Sequence, residues 1–476
     1  MHTDSYIRTR SVIINLEIKH TMQLIEKDNA KTIRAWTFYD WANSVFPLVI
    51  TSAIFPNFYD YVTTHDEAKN FLGRTVNFLG MEFENQNIYS FVYAFALSIV
   101  VIISPVMSGV ADYLGNKKRF LQFFCYLGAL SCMCLYFFNR EHLELSFIPF
   151  ITATIGFWGS LVYYNSYLPQ IASTENQDKV SARGFALGYF GSSLLLIICL
   201  VGIMVFKYEE NEINGVLVTT GFFKVKYSFL LVGLWWIGFA QYTFKHLPNK
   251  THDNHTADRK GLLSKGFKEL SSVWKQIKQL PTLKQFLSSY FFYNMGVQTI
   301  MVVAVLFARN EIDWGVGEAG EKAKTSSLII SILIIQFVGI AGSFLFSWIS
   351  TKIGNIKSLM TSICIWIFIC AFTYLVVRTP FHFYIVAFLV GLVMGGVQAL
   401  SRSTYSKLLP VTEDHTSFFS FYDVIEKLGM ILGTVSFGAI SQVMGGMRPS
   451  ILSLIAFFII GLLLLFPLTK KNLIKN

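Results

Sequence analysis

Charge is scarce in this sequence. Asp, Glu, Lys and Arg make up only 14% of its 476 residues, whereas soluble domains carry about 25%. With 53% hydrophobic residues and a mean hydropathy of +0.49, an ordinary soluble domain is excluded. The basic excess of +10 lies in gaps between apolar runs. It does not form the clustered basic face of a nucleic-acid-binding domain, so no nucleic-acid partner is expected. The six cysteines (Cys125, Cys132, Cys134, Cys199, Cys364, Cys370) fall within apolar runs, without zinc or redox spacing. The nine histidines show no metal spacing either, so neither a metal site nor a cofactor is expected. There is no G-x-x-x-x-G-K-[ST], which excludes ATP-driven transport in cis. "GVGEAG" at 315–320 fits G-x-G-x-x-G but follows no strand, so it is not a dinucleotide site. No nucleophile, base and oxyanion arrangement emerges, and an enzyme is not expected.

Long apolar runs are abundant. Stretches of roughly 18 to 25 mostly apolar residues can cross a bilayer. Twelve are expected, near 36–60, 87–110, 119–138, 146–169, 182–206, 226–245, 284–308, 326–350, 357–377, 381–405, 418–442 and 449–468. Most of the 39 Lys and Arg fall in segments on the side of the N-terminus. The positive-inside rule therefore puts both termini in the cytoplasm, consistent with an even number of spans. An integral protein of the cell (inner) membrane is expected, surrounded by lipid, as a monomer. The first thirty residues lack an h-region with a small-residue cleavage site. Met22 offers a second start, and residues 1–21 are assigned no function. The sequon "NHT" at 254–256 falls on the inner side.

The expected organisation is a tail (1–34), six spans (35–246), a connection (247–283), six spans (284–469) and a tail (470–476). The connection begins polar. It then places Leu263, Phe267, Leu270, Trp274 and Ile277 at helical spacing, flanked by Lys265, Lys268, Lys275 and Lys278. This pattern predicts a basic amphipathic helix on the inner leaflet, acting as a structural linker or a regulatory element. The halves echo each other. "FYDWANS" (38–44) is answered by "FYNMGVQ" (292–298), and "LGNKKR" (114–119) by "IGNIKS" (353–358). Parallel six-span repeats are a transporter signature.

The connection between spans 2 and 3, "SGVADYLGNKKR", resembles the signature of the major facilitator superfamily at Asp112, Gly115, Lys117, Lys118 and Arg119. Ser108 and Tyr113 depart from it. The resemblance implies an all-α polytopic fold and a loop that latches the halves on the inner side. Asp112 could there meet a helix N-terminus or a basic partner. The second copy keeps Gly354 and Lys357 but has Thr351 in place of the aspartate, so a weaker latch is expected there. "AWTFYDWANSVF" (35–46), "YYNSYLPQIA" (163–172), "SARGFALGYFGS" (181–192), "YNMGVQT" (293–299) and "GGVQALSRSTYSKLLP" (395–410) resemble the vacuolar amino-acid effluxer-like branch. In that branch an acid often follows the span 7 asparagine. Met295 stands there instead, which weakens a proton-coupling role for span 7.

Polar residues recur on single faces of the spans. Asp40, Asn43, Ser44, Pro47 and Thr51 form one stripe, and Asn294 and Gln298 stack in span 7. Span 10 aligns Gly391, Gly395, Gln398, Arg402 and Tyr405, and span 4 offers Ser160, Tyr164 and Tyr167. Stripes facing lipid would be costly, so they line a cavity or bond between helices. The resemblance implies that spans 1, 4, 7 and 10 line the substrate path. Asp40 lies about 6 to 9 Å inside span 1. It reads as a gate residue paired with Arg34 or Arg402, or as part of an aromatic belt. Asp423, Glu426 and Lys427 are expected at the cytoplasmic end of span 11, pairing with Arg402 or Arg183 at an inner gate or standing as a solvated terminus. Gly429 and Gly433 form a GxxxG packing face. The expected function is secondary transport of a small organic solute by alternating access. Amino acids are the leading substrate class, export the leading direction and proton coupling an open option. The alternatives are a non-transporting receptor or scaffold on the same fold and a membrane-embedded enzyme.

Overall fold

The computed structural model describes residues 26–66, 70–213, 216–249, 261–412 and 414–470. The sequon and Met22 lie outside them. Twelve helical columns cross the bundle. Span 1 opens at Ala30 under an N-cap, with the Asn29 side chain accepting from the backbone N–H groups of Lys31 and Thr32. It runs as an α-helix over Ala30–Asn43, widens to a π-helix over Phe46–Ile54, and resumes over Phe55–Thr64. Pro47 explains the change, since its ring clashes with the carbonyl four residues back and it has no N–H. The Thr51 and Ser52 hydroxyls both donate to Pro47 O at 2.7 Å. The wider turn shifts the helical register, so the span 1 stripe is not one face beyond Ser44.

Spans 2 to 6 are Asn85–Leu114, Lys117–Cys134, Leu143–Asn165, Gln177–Val205 and Tyr227–His246. Spans 7 to 12 are Pro281–Glu311, Gly317–Ile353, Asn355–Leu375, Pro380–Leu408, His415–Met444 and Met447–Leu465. Ten described helices are long and apolar enough to span a membrane. The other two columns are the interrupted span 1 and Tyr227–His246, which carries Gln241, Lys245 and His246. Two hairpins lie outside the spans: β1 (Thr75–Phe78) with β2 (Met81–Glu84), and β3 (Glu209–Ile213) with β4 (Val216–Thr220). In the first, Leu79 and Gly80 both take positive φ, the conformation a two-residue hairpin turn needs.

Each half has its own apolar core. In the first, Phe55, Phe58, Tyr59, Phe138, Phe147, Phe150 and Phe229 pack ring on ring. The halves meet where span 2 packs on span 11 and span 5 on span 8, pairs related by the internal two-fold. The linker helix Leu262–Gln279 packs on span 2. There the chains approach so closely that a Cβ on Gly109 would lie 2.4 Å from Gly266 O. Its expected apolar face divides. Leu263, Phe267 and Trp274 are 61%, 58% and 47% exposed, whereas Ile277 turns inward with Val273.

Candidate functional site

The start of span 1, the end of span 12 and the linker helix share one face of the bundle, called here the terminal face. Three clusters of polar residues join the halves between that face and the middle of the spans.

The first centres on Asp40 and Arg402, which are 5% and 3% exposed. Asp40 Oδ2 accepts from Tyr164 Oη at 2.7 Å and from Arg402 Nη1 and Nη2 at 3.4 and 3.5 Å. Arg402 also donates to Ser181 Oγ and Ser181 O, both at 2.9 Å, and to Asn165 Oδ1 at 3.2 Å. Its guanidinium lies 4.8 Å from the Trp36 ring centre and 4.2 Å from that of Phe185. A buried pair held by this many hydrogen bonds offsets the desolvation that isolated charges would suffer. Two span 5 glycines make room for span 1. A Cβ at Gly184 would sit 2.4 Å from Asp40 Oδ2, and one at Gly188 2.4 Å from Ser44 Oγ. Of the two partners expected for Asp40, the structure selects Arg402. Its burial among spans 1, 4, 5 and 10 replaces the aromatic-belt alternative.

The second cluster is a pair of latches. Asp112 accepts from the backbone N–H groups of Thr416 and Ser417 at 3.3 and 2.6 Å, at the N-terminus of span 11. Gly115 makes the following turn with φ of 64°. Lys117 donates to Ser166 O and Gln170 Oε1, Lys118 donates to Leu247 O, and Arg119 is exposed. On the symmetry-related side the expectation of a weaker latch is corrected. Asp178, at the start of span 5, supplies the carboxylate that Thr351 does not. It accepts from Ser350 Oγ (2.9 Å), Asn355 Nδ2 (2.7 Å) and Lys407 Nζ (2.7 Å). Asp178 falls in the first turn of the observed span 5, ahead of the start at 182 expected from the sequence and away from the signature loop.

The third cluster corrects the placement of Asp423, Glu426 and Lys427. They stand two to three turns into span 11, not at its solvated end. Lys427 is fully buried, hydrogen-bonds Asp423 Oδ1, lies 3.3 Å from Glu426 Oε2, and sits 3.7 Å from the centre of the Trp158 ring on span 4. Gln298 Nε2 donates to Glu426 Oε1 at 2.9 Å, and Asn294 Nδ2 to Glu426 O at 3.3 Å. Neither Arg402 nor Arg183 joins this cluster, and Arg183 is exposed on span 5. An acid thus faces the span 7 amides after all, supplied by span 11 where Met295 offers none.

The remaining expected path residues divide. Gln398 accepts from Tyr189 Oη at 2.6 Å, again across the halves. Asn43 is buried with Nδ2 unpartnered, and Ser44 packs on Gly188. Tyr167 stands apart from the other expected path residues. Its hydroxyl donates to Pro248 O, and Lys117 lies over its ring, so it holds the linker's start at the terminal face. Gly391 and Gly395 press on span 8 backbone, where added Cβ atoms would meet Ile335 O at 2.7 Å and Gly339 O at 2.3 Å. They serve helix packing, as Gly433 does against span 7.

Two six-helix halves joined by polar clusters around a two-fold define a transporter of the major facilitator superfamily. The family model described as "Vacuole effluxer Atg22 like" matches residues 28–475, and the chain belongs to that family. The MFS-type transporter YxiO of Bacillus subtilis, itself uncharacterized, is 30% identical over 91% of this chain and 94% of its own length. Autophagy-related protein 22 of Yarrowia lipolytica is 24% identical over 83% of this chain and 76% of its own. Among solved structures, the human organic anion transporter MFSD10 superposes with a TM-score of 0.68 at 9% identity, covering 92% of this chain and 100% of that one. FucP in its outward conformation gives 0.62 at 14% identity, covering 94% and 99%. The protein is an integral membrane transporter and not an enzyme.

Proposed function

We propose that this transporter exports a small organic solute by alternating access, with amino acids as the leading substrate class. The termini and linker then lie in the cytoplasm of a cell whose inner membrane holds the protein, as the bias of Lys and Arg supports. The Asp40–Arg402 pair carries the reading. It joins span 1 to span 10 across the two halves, is shielded from solvent, and is the contact that must part before the terminal face can open. In this arrangement the cytoplasmic gate is closed and the carrier faces outward. Groups of both signs stand between the halves at Asp40 and Arg402. They are suited to a solute that carries both charges.

The test is efflux from proteoliposomes loaded with mixed amino acids, with and without an imposed pH gradient, for the wild type and Asp40→Asn. Efflux by the wild type that is lost in the variant supports the reading. Unchanged efflux in the variant removes Asp40 from the gate. No efflux from correctly inserted wild type removes amino acids as substrates and brings forward other solutes or a receptor role.

A further inference from the structure

The Asp423 cluster is not needed to close the terminal face, which the Asp40–Arg402 pair and the two latches already do. Its charges do not balance. Two carboxylates share one ammonium, leaving one negative charge among apolar spans, where uncompensated charge is costly. The second oxygen of Asp423, Oδ2, is buried without a hydrogen-bond partner, although the residue is only 3% exposed. The acceptor capacity of that oxygen is unused.

Span 10 brings Arg402 within electrostatic reach of Tyr422, but that guanidinium is already paired with Asp40, so the surroundings supply no second cation to the cluster itself. Span 2 brings Tyr93, span 4 Tyr163 and span 7 Tyr290 within electrostatic reach of Glu426 or Asp423, and Tyr422 stands beside them on span 11. All are phenols, neutral at physiological pH. The span 7 amides Asn294 and Gln298 are neutral. Span 12 has no charged residue between Arg448 and Lys470. The linker helix meets span 11 through Trp274 stacked on Phe421. One added unit of positive charge would therefore neutralise the cluster. The side chain of Glu426 is 18% exposed, against 5% for Asp423 and none for Lys427, so Glu426 is the edge that a small cation reaches first.

We propose that Asp423, Glu426 and Lys427 form the proton-coupling site of this carrier, a reading that rests on its being a gradient-driven transporter. The proton adds to a Glu426 carboxylate oxygen, forming one O–H bond, and leaves to water on the opposite side. No other bond forms or breaks. Protonation leaves Lys427 to Asp423 alone. Trp158, which caps the Lys427 ammonium, belongs to the other half, so rocking of the halves changes the ammonium's surroundings and links proton occupancy to the conformational change.

The test is infrared difference spectroscopy on wild type, Glu426→Gln and Asp423→Asn reconstituted in liposomes and titrated with pH. Glu426→Gln is isosteric and keeps the acceptor for Gln298. The expected result is a carboxylic-acid carbonyl band that titrates in the wild type, is lost in Glu426→Gln and shifts in Asp423→Asn. An identical titration in all three proteins, or none in the wild type, overturns the proposal. A second arm measures exchange of labelled mixed amino acids and flux driven by a pH gradient. Glu426→Gln is expected to keep exchange and lose gradient-driven flux, and equal gradient-driven flux in variant and wild type overturns the coupling role. If the wild type exchanges no amino acid, that substrate reading fails, while the infrared result still decides the proton site.

Discussion

Asp40 and Arg402 show how much of a buried pair depends on residues other than the pair itself. Tyr164, Ser181 and Asn165 saturate it, and Gly184 leaves the volume it occupies. Removing one partner strands the other, at a cost of about 3–5 kcal/mol. Asp40→Ala is therefore expected to lower the thermal unfolding midpoint of the purified protein more than Asp40→Asn, which keeps an acceptor for Tyr164 and Arg402. Arg402→Lys is also expected to fail in transport, because an ammonium cannot copy the fork that reaches Asp40, Ser181 and Asn165 together. Gly184→Ala places a methyl where Asp40 Oδ2 stands. Scanning fluorimetry should show a destabilised protein, and a wild-type midpoint would refute the packing argument.

At the scale of elements, the linker helix is expected to respond to pH through Glu269. Burial first, then the neighbouring Asp414 carboxylate that shares a hydrogen bond with it, push Glu269 up to about 7. The raised value means that the folded arrangement favours protonated Glu269. Its contribution is full well below pH 7 and is lost as pH rises through that value, when like charges face each other. Hydrogen exchange over Leu262–Gln279 is expected to quicken on passing from pH 6 to 8 in the wild type and to change little in Glu269→Gln, once intrinsic exchange rates are corrected. The second latch is tested in the same way. Asp178→Asn weakens the acceptor for Lys407 and should raise the alkylation rate of a cysteine introduced at Ser350, read against the same cysteine in the otherwise wild-type protein.

At the scale of the whole molecule, the state described is one in which the terminal face is shut by three layers of contact between the halves. Spin labels placed across that face should report short distances that lengthen in Asp40→Asn, while labels across the opposite face should shorten in the same variant. The sequence by itself determined the class. Apolar runs of bilayer length are set by the bilayer as solvent, and their number, the echo of one half in the other and the signature loop are local or periodic patterns legible along the chain. It also singled out Asp40, Arg402 and Lys427, because charge within an apolar run stands out without any structure, and Asp112 through the signature loop. The tertiary structure decided the partners. It chose Arg402 over Arg34, moved the span 11 charges from a helix end to the interior, and filled the missing latch with Asp178. It also broke the span 1 stripe at Pro47 and sent Tyr167 to the linker. Pairing depends on how two halves of the chain, hundreds of residues apart, are turned towards each other. That rotation is set where the halves touch, as at Gly339 of span 8, where a Cβ would lie 3.2 Å from the Tyr189 ring of span 5, and no helical period within one span encodes it.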